Sequence, residues 1–239
     1  MSDYDNQVLR GRGTTADQAV DQGLRTYMIS VYNYMMIGLG VTGLAAYFVS
    51  HTPAVFNAVF GTPLVWVVIF APLALVFLLS FGINRMSAST AQMVFWLYSA
   101  LVGVSLATIF MIYDVGDITR VFFITAVSFG ALSLYGYTTK TNLSAFGSFL
   151  FIGLVGLLLA SVVNWFMQSS ALQFAISVAG VLVFAGLTAW DTQRIKEMYW
   201  AGDDAEATGK KAVMGALSLY LDFLNMFLFL LRLMGNSRS

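Results

Sequence analysis

Residues 213–234 read VMGALSLYLDFLNMFLFLLRLM. A bilayer core is crossed by about 20 mainly apolar residues in a helix, and this run is of that length. Asp222 lies nine residues after Val213, about 13–14 Å along a helix at 1.5 Å per residue and hence near the midplane. Ser218, Asp222 and Asn225 follow i, i+4, i+7 spacing and share one helix face. Lipid offers such a face no hydrogen-bond partner, so it must turn toward a bundle interior or a wet cavity.

Six more runs of this kind precede it, at 29–50, 63–82, 92–113, 118–137, 145–167 and 171–191. The chain of 239 residues is 59% hydrophobic and 10% charged, against roughly 25% charged in an ordinary soluble domain. Mean hydropathy is +0.78. Only Arg120, Asp191, Asp222 and Arg232 among the charged residues fall within the seven runs. The expected fold is an all-α membrane protein, a bundle of seven transmembrane helices. Residues 1–28 read as a short, partly disordered polar tail, and 235–239 as a short C-terminal tail. Small residues four apart, at Gly156/Ala160, Ala175/Ala179 and Ala185/Ala189, read as helix-packing surfaces.

With the N-terminus inside, nine Lys and Arg residues fall on the inner side and three (Arg120, Arg232, Arg238) on the outer. The positive-inside rule therefore predicts a cytoplasmic N-terminus. Residues 1–28 lack the apolar core of a cleavable signal peptide. With no cysteine and no organelle signal, the expected location is a bacterial inner membrane, the chain being a multi-pass integral protein. The longest segment between spans, 192–212, is too short for a globular domain, so any activity belongs within or between the helices.

Composition excludes several classes. Twelve basic and twelve acidic residues cancel, which disfavours a nucleic-acid partner recruited by net positive charge. No cysteine means no thiolate metal site or nucleophile. His51 is the single histidine, so neither a His-Glu-x-x-His helix nor a serine–histidine intramembrane site can be assembled. No span holds a lysine for a retinal Schiff base. No enzyme is expected and no cofactor is obligatory, although two membrane aspartates leave a carboxylate-only protease formally open.

Those aspartates carry the chemistry. An ionisable residue in a span costs roughly 2.5–3.5 kcal/mol on insertion scales and marks function by default. Asp191 ends the sixth run, which enters the inner side where the seventh run leaves it, so antiparallel neighbours can bring Asp191 and Asp222 together. The bland reading of Asp191 is an interfacial residue paired with Arg194 or Lys196. Two close carboxylates in a poorly solvated site cannot both ionise cheaply unless a cation intervenes. Such a pair is a proton-sensitive site and also a hard-cation site, since calcium takes carboxylate and carbonyl oxygens in flexible geometry. Arg85, at the inner end of the second run, is the natural arginine to pair with a carboxylate and close the path. Positive-inside anchoring explains it equally well. Asp203, Asp204 and Glu206 read as a solvated acidic patch.

Three segments carry a family resemblance. ALSLYLDFLNMFLFLLRLMG (216–235) closely resembles the last-helix signature of the Bax inhibitor-1/YccA family, and FAGLTAWDTQRIKE (184–197) its sixth-helix motif. NRMSASTAQMVFWLYSALVGVSLATIF (84–110) resembles its arginine-containing second-to-third helix region. The resemblance spans roughly residues 25–235. It implies a central seventh helix wrapped by the other six. It also implies an aspartate pair, Asp191 and Asp222, that senses pH and governs calcium leak, with Arg85 as its latch. One departure stands out: some relatives carry an acid inside the second helix, where this chain has none and carries Pro72.

Two function classes follow. One is a pH-sensitive, calcium-permeable leak channel whose partners are calcium, protons and the lipid bilayer. The other is a membrane interaction protein that modulates a membrane-bound ATP-dependent protease or a stress or cell-death pathway, as relatives are associated with doing.

Overall fold

The computed structural model describes the backbone of residues 2–236 and the side chains of residues 20–236. In chain order the helices are α1 (Ser2–His51), α2 (Pro53–Phe60), α3 (Leu64–Gly82), α4 (Ala88–Ser105), α5 (Ile109–Ile112), α6 (Val115–Thr138), α7 (Ser144–Met167), α8 (Ser170–Glu197) and α9 (Ala205–Met234). Turns of 3₁₀ helix follow α3 at Ile83–Arg85 and α4 at Leu106–Thr108. The second of these joins α4 and α5 into one span. Seven segments are long and apolar enough to cross a bilayer, and α2 is a short cap between the first two.

The helices outrun the apolar runs at one end. Segment 192–212 is mostly helix, leaving only residues 198–204 between α8 and α9. Asp204 caps α9 by accepting the Ala207 N–H at 2.7 Å, and Lys211 holds the turn by donating to the Met198 carbonyl at 3.0 Å. Residues 2–28, read from sequence as a partly disordered tail, belong to α1, whose apolar part begins at Val20. Once the span is helical, extending it adds one hydrogen bond per residue without a new nucleation step. The narrow break between the fifth and sixth runs is made by Gln168 at φ 50°. Asn164 supports it by accepting the Ser169 N–H at 3.1 Å.

α9 is the axis. It packs against α1, α4, α6 and α8, while α3 packs chiefly on α4 and α7 on α8. The expected wrapping by six helices is thus a direct shell of four with two outriders. Within the apolar window of each span, 56% of α9 is buried inside the protein against 11% for α3. Phe70, Phe77 and Phe81 of α3, with Phe149, Phe151 and Ile152 of α7, are exposed and form the lipid-facing surface.

Close helix approaches occur where glycine faces a neighbour's backbone. A Cβ on Gly136 of α6 would lie 2.2 Å from the Ala189 carbonyl oxygen, and one on Gly103 of α4 would lie 2.4 Å from that of Thr42. The spacing argument correctly selects Ala185/Ala189 as a packing pair but fails at the other two. Ala175 and Ala179 are exposed, and Gly156 has nothing within 4 Å. Small residues look alike in sequence whether they face lipid or a neighbour. Gly136→Ala is therefore expected to cost about 1–3 kcal/mol by overpacking, seen as a lower melting temperature in detergent. Gly156→Ala should be neutral or stabilising, gaining up to about 1 kcal/mol of helix propensity; equal effects would contradict this packing.

Candidate functional site: a buried carboxyl pair between α8 and α9

Toward its C-terminal end α8 buries most of its surface: Thr188, Asp191, Thr192, Gln193 and Ile195 are all buried, while Arg194 is exposed. Each polar side chain has an assigned task. Thr188 and Thr192 donate back to the carbonyls of Phe184 and Thr188, both at 2.8 Å. The Thr192 hydroxyl also meets Ser133 of α6 at 3.4 Å. Gln193 clamps the α6–α7 connection, accepting the Leu143 N–H and donating to the Thr141 carbonyl, both at 2.8 Å. Lys196 donates to the Tyr137 carbonyl at 2.9 Å and lies 5.1 Å from the centre of that tyrosine ring. These contacts fix the rotation of α8, and that rotation aims Asp191 at α9.

Asp222 waits there, 4% exposed, with Asp191 at 8%. The two carboxyls are near enough to act directly on each other. Among the described residues, Asp222 Oδ2 is buried without a hydrogen-bond partner. Ionised carboxylates only accept hydrogen bonds, so a bond between two carboxyls requires a proton on one of them. The arrangement suits a pair that shares a proton, or one that shares a cation instead. No group of three or more His, Cys, Asp or Glu side chains placed to hold a metal ion occurs among the described residues. Calcium takes 6–8 oxygens, so at this pair the remainder would come from carbonyls or water.

The arginine beside the pair is Arg194, whose Nη1 lies 3.8 Å from Asp191 Oδ1. Arg85 is exposed at the end of its 3₁₀ turn and makes no ion pair or hydrogen bond among the described residues. The continuation of α8 past Asp191 explains the difference, since it places Arg194 three residues on and on the same face. Ser218 and Asn225 are half-buried, and neither bonds to a carboxyl; Asn225 donates to the Leu221 carbonyl of its own helix at 2.8 Å. The acidic residues of the α8–α9 turn are structural rather than freely solvated. Asp203 pairs with Lys211, Asp204 caps α9, and Glu206 accepts the Ala88 N–H at 2.7 Å, capping α4.

Sequence reasoning overlooked a second polar centre. Tyr220, fully buried, meets the Thr42 hydroxyl of α1 at 2.6 Å. Thr42 in turn bonds the Gly38 and Ser99 carbonyls, each at 2.9 Å. Phe95 and Tyr98 of α4 pack edge-on against the Tyr220 ring. The available signal was a tyrosine far from either membrane interface, where tyrosines usually gather. Since a stranded buried hydroxyl costs more than a lost hydrogen bond, Thr42→Val should destabilise by about 1–3 kcal/mol and Tyr220→Phe by about 1 kcal/mol. The double variant should recover part of the loss, and additive melting shifts would show that the hydroxyls are uncoupled.

Comparison with known proteins agrees with this architecture. The family described as inhibitor of apoptosis-promoting Bax1 matches residues 24–239. The inner membrane protein YbhL of Escherichia coli K12 is 47% identical over 219 residues, covering 90% of this chain and 94% of YbhL. An uncharacterized protein of Rickettsia prowazekii is 45% identical over 226 residues, covering 95% and 96%. One from Caulobacter vibrioides is 43% identical over the whole of both chains. With seven apolar helices, these relatives mark a multi-pass protein of the bacterial inner membrane. The chain belongs to the Bax inhibitor-1 family.

Proposed function

We propose that this protein is a proton-regulated, calcium-permeable leak channel gated by the contact between Asp191 and Asp222. The observation that carries the reading is the buried carboxyl pair between α8 and the central helix, with the Asp222 Oδ2 unpartnered. With one proton shared, the two side chains attract and α8 stays closed on α9. With both carboxyls ionised, mutual repulsion in a poorly solvated site must be relieved by a cation or by separation of the helices. Proton and calcium therefore compete for the same oxygens, and Arg194 competes with both for Asp191. In this reading Arg85 serves as a positive-inside anchor, and the N-terminal end faces the cytoplasm.

The test is calcium-dye flux from liposomes holding the purified protein, between pH 5 and 8. Wild-type flux should change with pH, and Asp191→Asn or Asp222→Asn should flatten that dependence. Flux no greater than in empty liposomes at every pH would refute the channel. Arg194→Gln should shift the pH response while costing under about 1 kcal/mol of stability, because the guanidinium is largely solvent-exposed and stands 3.8 Å from the carboxylate.

A non-conducting interaction protein that modulates a membrane protease is the second reading, favoured by the polar start of α1 ahead of Val20. The informative deletion is 1–19 rather than 1–28, because Tyr27 and Met28 belong to the core. Loss of protease association with unchanged flux would separate the two activities.

A further inference from the structure

α1 and α6 both pack on α9. Between them runs a lateral groove of about 670 Å³, within the size range of small-molecule sites. Phe129 and Phe223 form its floor, and Ala126 and Gly130 leave room where larger side chains would close it. The methionines Met28, Met35 and Met36 on the α1 side can repack around an irregular apolar guest.

Its length and its mouth indicate the guest. The lining runs from Arg25 to Leu39 on α1 and from Tyr137 to Phe122 on α6, about 21–23 Å at 1.5 Å per residue. That is half of the roughly 40–45 Å thickness of a whole bilayer, one leaflet with its headgroup layer. Arg25 lines the mouth, exposed and without an ion pair or hydrogen bond among the described residues. Tyr137 forms the opposite rim and carries the Lys196 ammonium on its ring and carbonyl. No carboxylate lines the groove. A helix of a second copy would cross both leaflets, whereas this groove serves one.

We infer that the α1–α6 groove is a binding site for an anionic phospholipid, with an acyl chain on the Phe129–Phe223 floor and the phosphate at Arg25. Basic pockets between membrane helices suit such headgroups. The site has a route to the carboxyl pair. Ser133 lines the groove and contacts Thr192, the neighbour of Asp191, so a seated chain walls off the lipid side of that network.

The full chain in neutral detergent is titrated with dioleoylphosphatidylglycerol or dioleoylphosphatidylcholine and observed by native mass spectrometry. Retention of the anionic lipid should exceed that of the zwitterionic one about fivefold, the effect of one cation at a membrane surface. Arg25→Gln should bring the two near parity. A Cβ on Gly130 meets nothing within 4 Å, so Gly130→Leu should fill the groove and abolish retention of both lipids with helical content unchanged. Equal retention by the wild type, or undiminished retention by a folded Gly130→Leu, would overturn the inference. So would a dimer that this substitution dissociates. Photo-crosslinking of the unsubstituted chain with an acyl-diazirine phosphatidylglycerol reads the site independently. Label concentrated on 25–39 and 122–137 supports the groove, and label spread evenly over α3 and α7 counts against it.

Discussion

Polar groups in the middle of the central helix cannot look to water, so each must be satisfied by its own helix or by the four packed around it. α9 carries Tyr220 and Asp222 two residues apart, and that spacing turns them to different sides of the helix. Tyr220 is met by Thr42 of α1 and by the aromatic rings of α4. Asp222 is met by Asp191 of α8. The first centre is satisfied by neutral hydrogen bonds and behaves as a clamp. The second joins two groups that attract only while a proton or a cation lies between them. In the proposed channel, the conditional side is where the bundle opens.

The clamps around the conditional contact sharpen this division. Gln193 and Lys196 tie the C-terminal end of α8 to α6 and to the α6–α7 connection. Lys211, Asp203 and Asp204 fix the turn into α9. At the other end of α9, Arg120 donates to the Met234 carbonyl at 3.0 Å. A guanidinium there also suits the negative end of the helix dipole. Movement of α9 as a whole is thus restrained at both ends, and the gating proposed above is a local separation at the carboxyl pair. The groove on the α1–α6 side reaches the same region through Ser133 and Thr192.

Much of this was legible in the chain before any coordinates. Seven apolar runs gave the span count, and the rarity of charge within them isolated Asp191 and Asp222. Four-residue spacing was less informative, because it does not distinguish a lipid-facing glycine such as Gly156 from a helix-facing one such as Gly136. Arg85 and Arg194 presented the same ambiguity. Either could reach Asp191 by its level in the membrane, and the choice turned on how far α8 continues beyond the apolar run. Apolarity marks where lipid ends and leaves the end of the helix undetermined.

By itself, then, the sequence determined environment, span number and the identity of the two costly carboxylates, because transfer into lipid is a property of residue type and run length. Tertiary structure decided which faces meet. It placed Asp191 against Asp222, kept the Arg194 ion pair beside it, and opened a leaflet-deep groove between α1 and α6. Those outcomes depend on helix rotation, which is set by glycine contacts and buried hydrogen bonds between segments distant in sequence.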